Sequence, residues 1–434
     1  MRSFLKLFSI FAVLLALCLL LSSCGKSKDW RPNKMKTNVT SDTLQVARVE
    51  NLPEDFIFGM DASCVPSLEA GGVKYYDFEG KEKDVYEILS ENGINYIRVR
   101  IWNDPFDKDG NGYGGGNCDI DNAVEVGKRA TRYGLKLLVD FHYSDFWADP
   151  SKQMAPKAWV GMSIEEKAEA LYQYTKECLE KLTDAGVDVG MVQIGNETNG
   201  AMCGENSTAL GGWKRITDLM SAGAKAVREV CPDALVVVHF ANPEKVTNYE
   251  SYSKNLEYYG VDYDVFASSY YPFWHGTLEN LAKVLGNVAT TYGKKVMIAE
   301  TSYPYTVNDT DFFGNTIGDA GDRVENYPFT VQGQADLVRD VIATAASIEN
   351  CIGVFYWEGT WISSGGRNFE ENLALWEKHG SGWATSFAAE YDPNDAGKWY
   401  GGCAVDNQAF FDKNGKALES LKVFALVRDG NDVK

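Results

Sequence analysis

Gln193-Ile194-Gly195-Asn196-Glu197-Thr198-Asn199 and Val296-Met297-Ile298-Ala299-Glu300-Thr301-Ser302 are two stretches in which a short apolar run ends on a glutamate. A run that is continuously apolar, rather than alternating, reads as a strand covered on both faces, the habit of parallel sheets. Counting outward from these two, runs at 56–61, 96–102, 135–143, 190–197, 235–240, 265–271, 296–300 and 352–358 make eight. Between them, 81–92, 122–133, 164–185, 213–230, 278–292 and 331–349 carry apolar residues at helical spacing. Gly93, Gly134, Gly186 and Gly293 stand where helices stop, and Ser163 with Glu166 makes a capping box. Eight strand-helix repeats predict an α/β fold, a closed (β/α)8 TIM barrel, although an open doubly wound sheet has the same local pattern. The strand ends separate the two. Arg98, His142, Asn196, Glu197, Tyr271, Glu300 and Trp357 fall at or near the C-terminal ends of different strands, and only a barrel gathers such ends into one cleft.

Residues 1–23 read as a lipoprotein signal peptide, with Arg2 and Lys6 ahead of an apolar stretch at 7–21 and then Leu21-Ser22-Ser23-Cys24. The stretch is short for a membrane span, and the small-small-Cys ending resembles the lipobox of bacterial lipoproteins, which implies Cys24 as the lipidated anchor. An ordinary signal peptide that leaves Cys24 free is the alternative. Residues 24–50 are polar, with Lys26, Lys28, Lys34 and Lys36 among Ser, Thr and Asn, and read as a flexible tether. Residues 51–434 then run without a Pro/Gly/Ser-rich break, as a single barrel domain can. The expected product is exported and membrane-anchored through its lipid, at the cell surface or in the periplasm.

A formal charge of -19 and a pI near 4.7 argue against nucleic acid, which needs basic patches, and favour a neutral ligand. The chain has nine Cys, and without Cys18 and Cys24 an odd, widely spaced number is left with no Cys-x-x-Cys; the four His form no His-Glu-x-x-His. Neither a disulfide framework nor a zinc site is indicated. These patterns assign neither cysteine pairing nor oligomeric state.

Two carboxylates at strand ends suit glycoside hydrolysis. One, held protonated, gives its proton to the leaving glycosidic oxygen, and the other, held ionised, attacks or stabilises the oxocarbenium-like carbon. Taken singly, either Glu also reads as a solvated rim charge. The pair, with Asn196 directly before Glu197, is far more specific.

From about residue 58 to its C-terminus the chain resembles the endo-β-1,4-galactanases of glycoside hydrolase family 53. The resemblance rests on Gly59-Met60-Asp61-Ala62-Ser63, Ile97-Arg98-Val99-Arg100-Ile101-Trp102 and the stretch from Asp140-Phe141-His142-Tyr143 to Trp147-Ala148-Asp149-Pro150. It continues through Ile194-Gly195-Asn196-Glu197, Tyr270-Tyr271-Pro272-Phe273 and Phe355-Tyr356-Trp357-Glu358. The resemblance implies Glu197 as general acid/base on the fourth strand and Glu300 as nucleophile on the seventh. It implies that Asn196 meets the sugar 2-hydroxyl and that Arg98 and Tyr271 hold Glu300. Arg100 shares the strand face of Arg98 and could exchange roles with it. His142 would orient the surroundings of Glu300, bind sugar, or sit as a core histidine. Trp357 is the expected sugar platform, with Trp102, Trp147, Trp274 and Trp361 as further candidates that could equally pack loops.

No cofactor is expected for the chemistry. Bacterial members carry long loops after strands seven and eight, here 308–315 and about 359–412, joined by a structural calcium ion. Asp309, Asp311 and Asn315 would be its ligands, with Phe313 offering only a carbonyl where a polar side chain is usual. Alone, such an acidic turn reads equally as solvated surface. The expected function is retaining endo-hydrolysis of β-1,4-galactosidic bonds in type I arabinogalactan, the galactan of pectin. The rivals are another β-1,4-glycanase of the same clan, a mannanase or xylanase, and a non-catalytic surface glycan-binding lipoprotein.

Overall fold

Eight parallel strands close in chain order into a barrel. They are β1 Ile57–Asp61, β2 Tyr96–Ile101, β3 Lys136–Phe141, β4 Val189–Ile194, β5 Leu235–Phe240, β6 Val265–Ser269, β7 Lys295–Glu300 and β8 Cys351–Tyr356. Closure is made by β1, which pairs Ile57 with Gly353 of β8 and Asp61 with Arg98 of β2. The computed structural model describes residues 29–34, 38–324 and 326–431.

Each strand sends alternate side chains to opposite sides, so β2 points Ile97, Val99 and Ile101 to the helices and Tyr96, Arg98 and Arg100 into the barrel. The lower interior is apolar, filled by Leu138, Met191, Val237, Ala267, Met297 and Phe355. Phe355 occupies the centre because β1 has Gly59 opposite, where a Cβ would lie 2.0 Å from the ring. Above this layer the inward positions turn polar, and the chemistry begins.

The main helices between and after the strands are α1 Val85–Glu91, α2 Ile120–Arg132, α3 Ile164–Asp184, α4 Gly212–Val230, α5 Val246–Tyr258, α6 Leu278–Tyr292 and α7 Val331–Ser347. The Ser163–Glu166 capping box opens α3, whose stripe of Leu171, Thr175, Cys178, Leu179 and Leu182 is buried on the barrel. Gly293, at φ 63°, ends α6 in the left-handed conformation that glycine supplies without strain. One helix was not expected. In α5 the buried positions are Tyr249, Tyr252, Ser253 and Leu256, so the helical spacing exists but tyrosines among Asn, Ser and Lys carry it. A further helix, α8 Phe369–His379, lies in the long loop after β8.

The reading of residues 24–50 as a flexible tether is corrected for the part that is described. Leu44, Val46 and Val49 are buried in the main core, and Val46 pairs antiparallel with Asn431 near the other end of the chain. Trp30 packs under the barrel interior, with its carbonyl accepting from the Tyr96 hydroxyl, and Asn33 Nδ2 donates to Gly134 O at 2.7 Å. Three apolar residues spread over so few positions set up no visible period, yet each fills a site made by distant chain. The packed unit therefore takes in described residues before 51, among 29–34 and 38–50, rather than starting at 51. The signal peptide and Cys24 lie outside the described residues, and among those described no helix is long and apolar enough to cross a membrane.

Candidate active site

Arg98 is the third residue of β2, inside the barrel and 1% exposed. A guanidinium cannot shed its charge, so burial demands anionic partners. Its Nη1 lies 3.0 Å from Asp61 Oδ2 at the end of β1 and 2.8 Å from Glu300 Oε1 at the end of β7. Its Nη2 lies 2.8 Å from Asp140 Oδ2 of β3 and donates to Asn196 Oδ1 at 2.8 Å, while Nε donates to Gln193 Oε1 at 3.3 Å. Arg98 holds the Asp140 carboxyl below its ordinary range against the opposing effect of burial.

Glu300 reaches this interior through a slip in the sheet. Strict alternation along β7 would send it outward with Val296 and Ile298. Pairing with β6 moves from Ser268–Ile298 to Ser269–Glu300, and this irregularity turns the carboxylate inward. Its Oε2 accepts from the Tyr271 hydroxyl at 2.9 Å.

Glu197 is placed by a turn rather than a strand. β4 stops at Ile194, Gly195 follows at φ 101°, and Glu197 itself stands at φ 45°, a left-handed conformation uncommon outside glycine. The expected strand to 197 is thus three residues too long. Gln153 Nε2 pins the turn by donating to the Asn196 carbonyl at 2.7 Å. Glu197 Oε1 hydrogen-bonds Ser269 Oγ on β6, and Ser269 in turn meets His239 Nε2 of β5 at 2.9 Å.

One carboxylate oxygen of Glu197, one of Glu300 and a ring nitrogen of His239 all lie within 4.8 Å of one another. A spacing this short suits the retaining geometry, in which the carboxyl groups are about 5–5.5 Å apart, and leaves no room for the water of an inverting site. Burial, then the charge of Glu300, lifts the Glu197 carboxyl well above the ordinary range. Burial lifts Glu300 too, but Arg98 and Tyr271 pull it back. The pair therefore keeps its proton on Glu197 and its charge on Glu300.

Asn196 Nδ2 donates to Ala148 O at 2.8 Å, and its side chain borders the cleft. His142 spends both ring nitrogens on protein: Nε2 faces Asp140 at 3.2 Å, and Nδ1 accepts from Trp102 Nε1 at 3.2 Å and Ala148 N at 3.0 Å. It braces Asp140, the partner of Arg98. Arg100 does not exchange with Arg98. It pairs with Glu358 after β8, donates to Gly115 O at 2.6 Å, and lies 4.2 Å from the Trp147 ring centroid.

The cleft above encloses about 500 Å³. Trp357, Trp147, Trp361 and Trp274 border it, as do Trp383 and Trp399 of the long loop after β8, which the strand-end rule could not reach. Trp399 is 68% exposed and Trp274 53%. Trp102 is corrected: it has 0% exposure, packs against Phe146 and Trp147, and supports His142 instead of meeting sugar. His239 and Ser269 were missed although both stand at strand ends. Neither residue type announces a role at a strand end, and a buried His–Ser pair has none until its neighbours are known.

The expected calcium ligands gather only in part. Oxygens of Asp309, Asp311 and Asp406 lie within 4.8 Å of one another, the last from the loop after β8 and absent from the sequence reading. Burial and mutual repulsion push Asp311 up to about 7, and burial pushes Asp406 up to about 6. Asp406 Oδ1 and Asn315 Oδ1 are buried without hydrogen-bond partners. Oxygen donors, two of them orphaned and three of them acidic, fit a hard divalent cation. Phe313 turns its ring away to pack edge-on against Trp376.

A closed parallel barrel with two buried glutamates facing each other under an aromatic cleft defines a glycoside hydrolase of the barrel type. Residues 57–424 match the model of glycosyl hydrolase family 53. The chain is 52% identical over 433 residues to an endo-beta-1,4-galactanase of Bacillus subtilis (strain 168), covering 99% of each. It is 35% identical to an arabinogalactan endo-beta-1,4-galactanase of Cellvibrio japonicus (strain Ueda107), over 76% of this chain and 86% of that one. Among solved structures, the Ignisphaera aggregans GH53 catalytic domain superposes with a TM-score of 0.79 at 39% identity, over 88% of this chain and 99% of that one. The chain belongs to glycosyl hydrolase family 53.

A buried acid with a raised folded-state pKa contributes stability that is fully present below its unfolded pKa and is lost as pH rises through the folded one. Glu197 is such a group. Glu197→Gln should therefore gain melting temperature over the parent progressively as pH rises above about 4, the ordinary range of an unfolded carboxyl. Thermal unfolding at several pH values checks this, and parallel curves would show that Glu197 ionises in the folded protein as readily as in the unfolded one.

Proposed function

We propose that this chain is a retaining endo-hydrolase that cuts β-1,4-galactosidic bonds in type I arabinogalactan, with Glu197 as general acid/base and Glu300 as nucleophile. The observation that carries the reading is the close approach of the two glutamates, one lifted by burial and the other held by Arg98 and Tyr271. Ionised Glu300 attacks the anomeric carbon while Glu197 gives its proton to the departing oxygen, leaving a galactosyl ester on Glu300. Glu197, now a carboxylate, takes a proton from water, which opens the ester with net retention. Asn196 Nδ2 has one hydrogen engaged by Ala148, and its second is available to the sugar 2-hydroxyl. Trp357 offers a half-buried ring to the apolar face of the galactosyl unit at the reacting position. The chemistry needs no cofactor.

The substrate assignment draws on the relatives, whose names specify β-1,4-galactan. The enzyme should cleave debranched β-1,4-galactan at internal bonds and leave mannan and xylan intact; comparable turnover on either would move the function to a related glycanase. Glu197→Gln and Glu300→Gln should each fold and lose at least about a hundredfold in turnover. With an activated aryl galactoside, azide should rescue Glu197→Ala to the β-azide and Glu300→Ala to the α-azide, and the opposite stereochemistry would reverse the roles.

Calcium would tie the loop after β7 to that after β8 through Asp309, Asp311, Asn315 and Asp406, compensating charge that is otherwise buried and unpaired. A chelator should lower the melting temperature, added calcium should restore it, and Asp406→Ala should remove the response. An unchanged melting curve, with no metal in elemental analysis, would leave the cluster as acidic turn alone.

The N-terminal pattern supports export and lipidation of Cys24, which would make the enzyme a membrane-tethered depolymerase. Cys24→Ala should then move it from the membrane to the soluble fraction; retention on membranes after carbonate washing would contradict the anchor.

A further inference from the structure

His239 occupies a position in the catalytic centre for which the two-glutamate mechanism has no role. It is fully buried on β5, and its ring bridges two parts of the site: Nδ1 lies 2.9 Å from Asn196 Oδ1, and Nε2 lies 2.9 Å from Ser269 Oγ. The donor inventory decides where the hydrogens stand. Asn196 Oδ1 already accepts from Arg98, so it is correctly the oxygen, and the atom facing it across 2.9 Å must be a donor. His239 Nδ1 therefore carries the proton. The ring is also neutral, because burial and the charge of Arg98 both disfavour a second proton. Nε2 is then bare and must accept from the Ser269 hydroxyl.

A hydroxyl has one hydrogen. With that hydrogen committed to His239, Ser269 can meet Glu197 Oε1 only as an acceptor, and the hydrogen between them must come from the carboxyl group. Gln193 Nε2 has four such neighbours, Asp140 Oδ1 at 2.5 Å, the Gly195 carbonyl and Asn196 Oδ1 at 3.1 Å each and His239 Nδ1 at 3.2 Å, and its two hydrogens go to the nearer oxygens, which leaves His239 Nδ1 to donate to Asn196 Oδ1 at 2.9 Å.

We propose that His239 is a positioning residue that, by fixing the direction of the Ser269 hydroxyl, makes the free enzyme hold its acid proton in a Glu197-to-Ser269 hydrogen bond until a glycosidic oxygen takes the place of Ser269. The chain of donors runs from Glu197 through Ser269 and His239 to Asn196, which Arg98 fixes from the other side, and Arg98 ends it on Glu300. Acid and nucleophile are thus linked by hydrogen bonds as well as by proximity. Once the proton has left, the Ser269 hydroxyl can swing from His239 to the new carboxylate, so the same pair serves the base step at the cost of one hydrogen bond. Other charged or titratable groups facing Glu197 are Glu300, Asp149, Tyr271, Tyr249 and Arg98, and those facing His239 are Arg98, Asp140 and His142. None of them contacts Ser269 Oγ in place of His239.

The inference rests on Glu197 as the acid/base, and its test separates the two. In the wild-type enzyme labelled with 15N-histidine, NMR should find His239 protonated at Nδ1 and bare at Nε2; the opposite tautomer would overturn the proposal whatever Glu197 does. In kinetics, the alkaline limb of kcat/KM reports the free enzyme's acid. His239→Ala frees Ser269 to donate to the Glu197 carboxylate and should move that limb down by about one pH unit. His239→Gln, whose amide can donate to Asn196 and accept from Ser269, should hold the limb at the parent pH. In a Ser269→Ala background, His239→Ala should cause no further shift. A lower rate with an unmoved limb in His239→Ala, or a further shift without Ser269, would reduce His239 to a packing residue. Full activity in Glu197→Gln would instead sink the acid/base assignment.

Discussion

A single buried guanidinium organises this enzyme. Arg98 sits inside the barrel with its charge permanently present, and satisfying it brings together the ends of β1 and β7, the body of β3 and the turn after β4. An unpaired charge there would cost several kcal/mol, so these elements are held to one register by the same contacts that prepare the chemistry. The stabilisation is not neutral in function. By lying 2.8 Å from Glu300, Arg98 decides which glutamate stays ionised, and burial with like-charge repulsion decides that Glu197 keeps the proton. A lysine could supply the charge but not the fork that reaches Asp61, Asp140, Glu300 and Asn196 together.

Two residues further along β2, Arg100 faces the same interior and does something different. Its partner Glu358 lies beyond β8, and its flat cation is stacked near Trp147, with Trp102 and Trp361 further off. The first arginine biases the protonation of the two glutamates; the second braces the aromatic wall of the cleft. Division of labour along one strand follows from the period of two, which presents both to the cleft while Val99 between them goes to the helices.

Much of this was legible from local pattern. Continuous apolar runs mark the eight strands because a parallel barrel buries both faces of each, and the strand-end rule picks out Glu197, Glu300, Arg98, Asn196 and Tyr271, which the barrel brings together around one cleft. The failures share a cause, which is that the information is held by partners far away in the chain. Leu44 and Val46 look like part of a polar tether until Asn431 and the core are placed beside them. Asp406 becomes a neighbour of Asp309 and Asp311 only when two long loops meet. Trp102 and Trp399 are both tryptophans beyond strands, yet one is sealed under Trp147 and the other stands open on the cleft rim. Nor could alternation along β7 foretell that a slip against β6 turns Glu300 inward.

We propose that Arg98 and Tyr271 keep Glu300 ionised beside the protonated Glu197, so that a Glu300 oxygen attacks the anomeric carbon of the sugar. Covalent trapping tests it most directly. A 2-deoxy-2-fluoro-galactobiosyl fluoride carries a good leaving group and a slowed second step, so the glycosyl-enzyme should accumulate, and peptide mass spectrometry should find the added sugar on the peptide bearing Glu300 alone. The adduct should fail to form in Glu300→Gln. A label on Glu197, or turnover of the reagent with an inverted anomeric product and no adduct, would contradict the account.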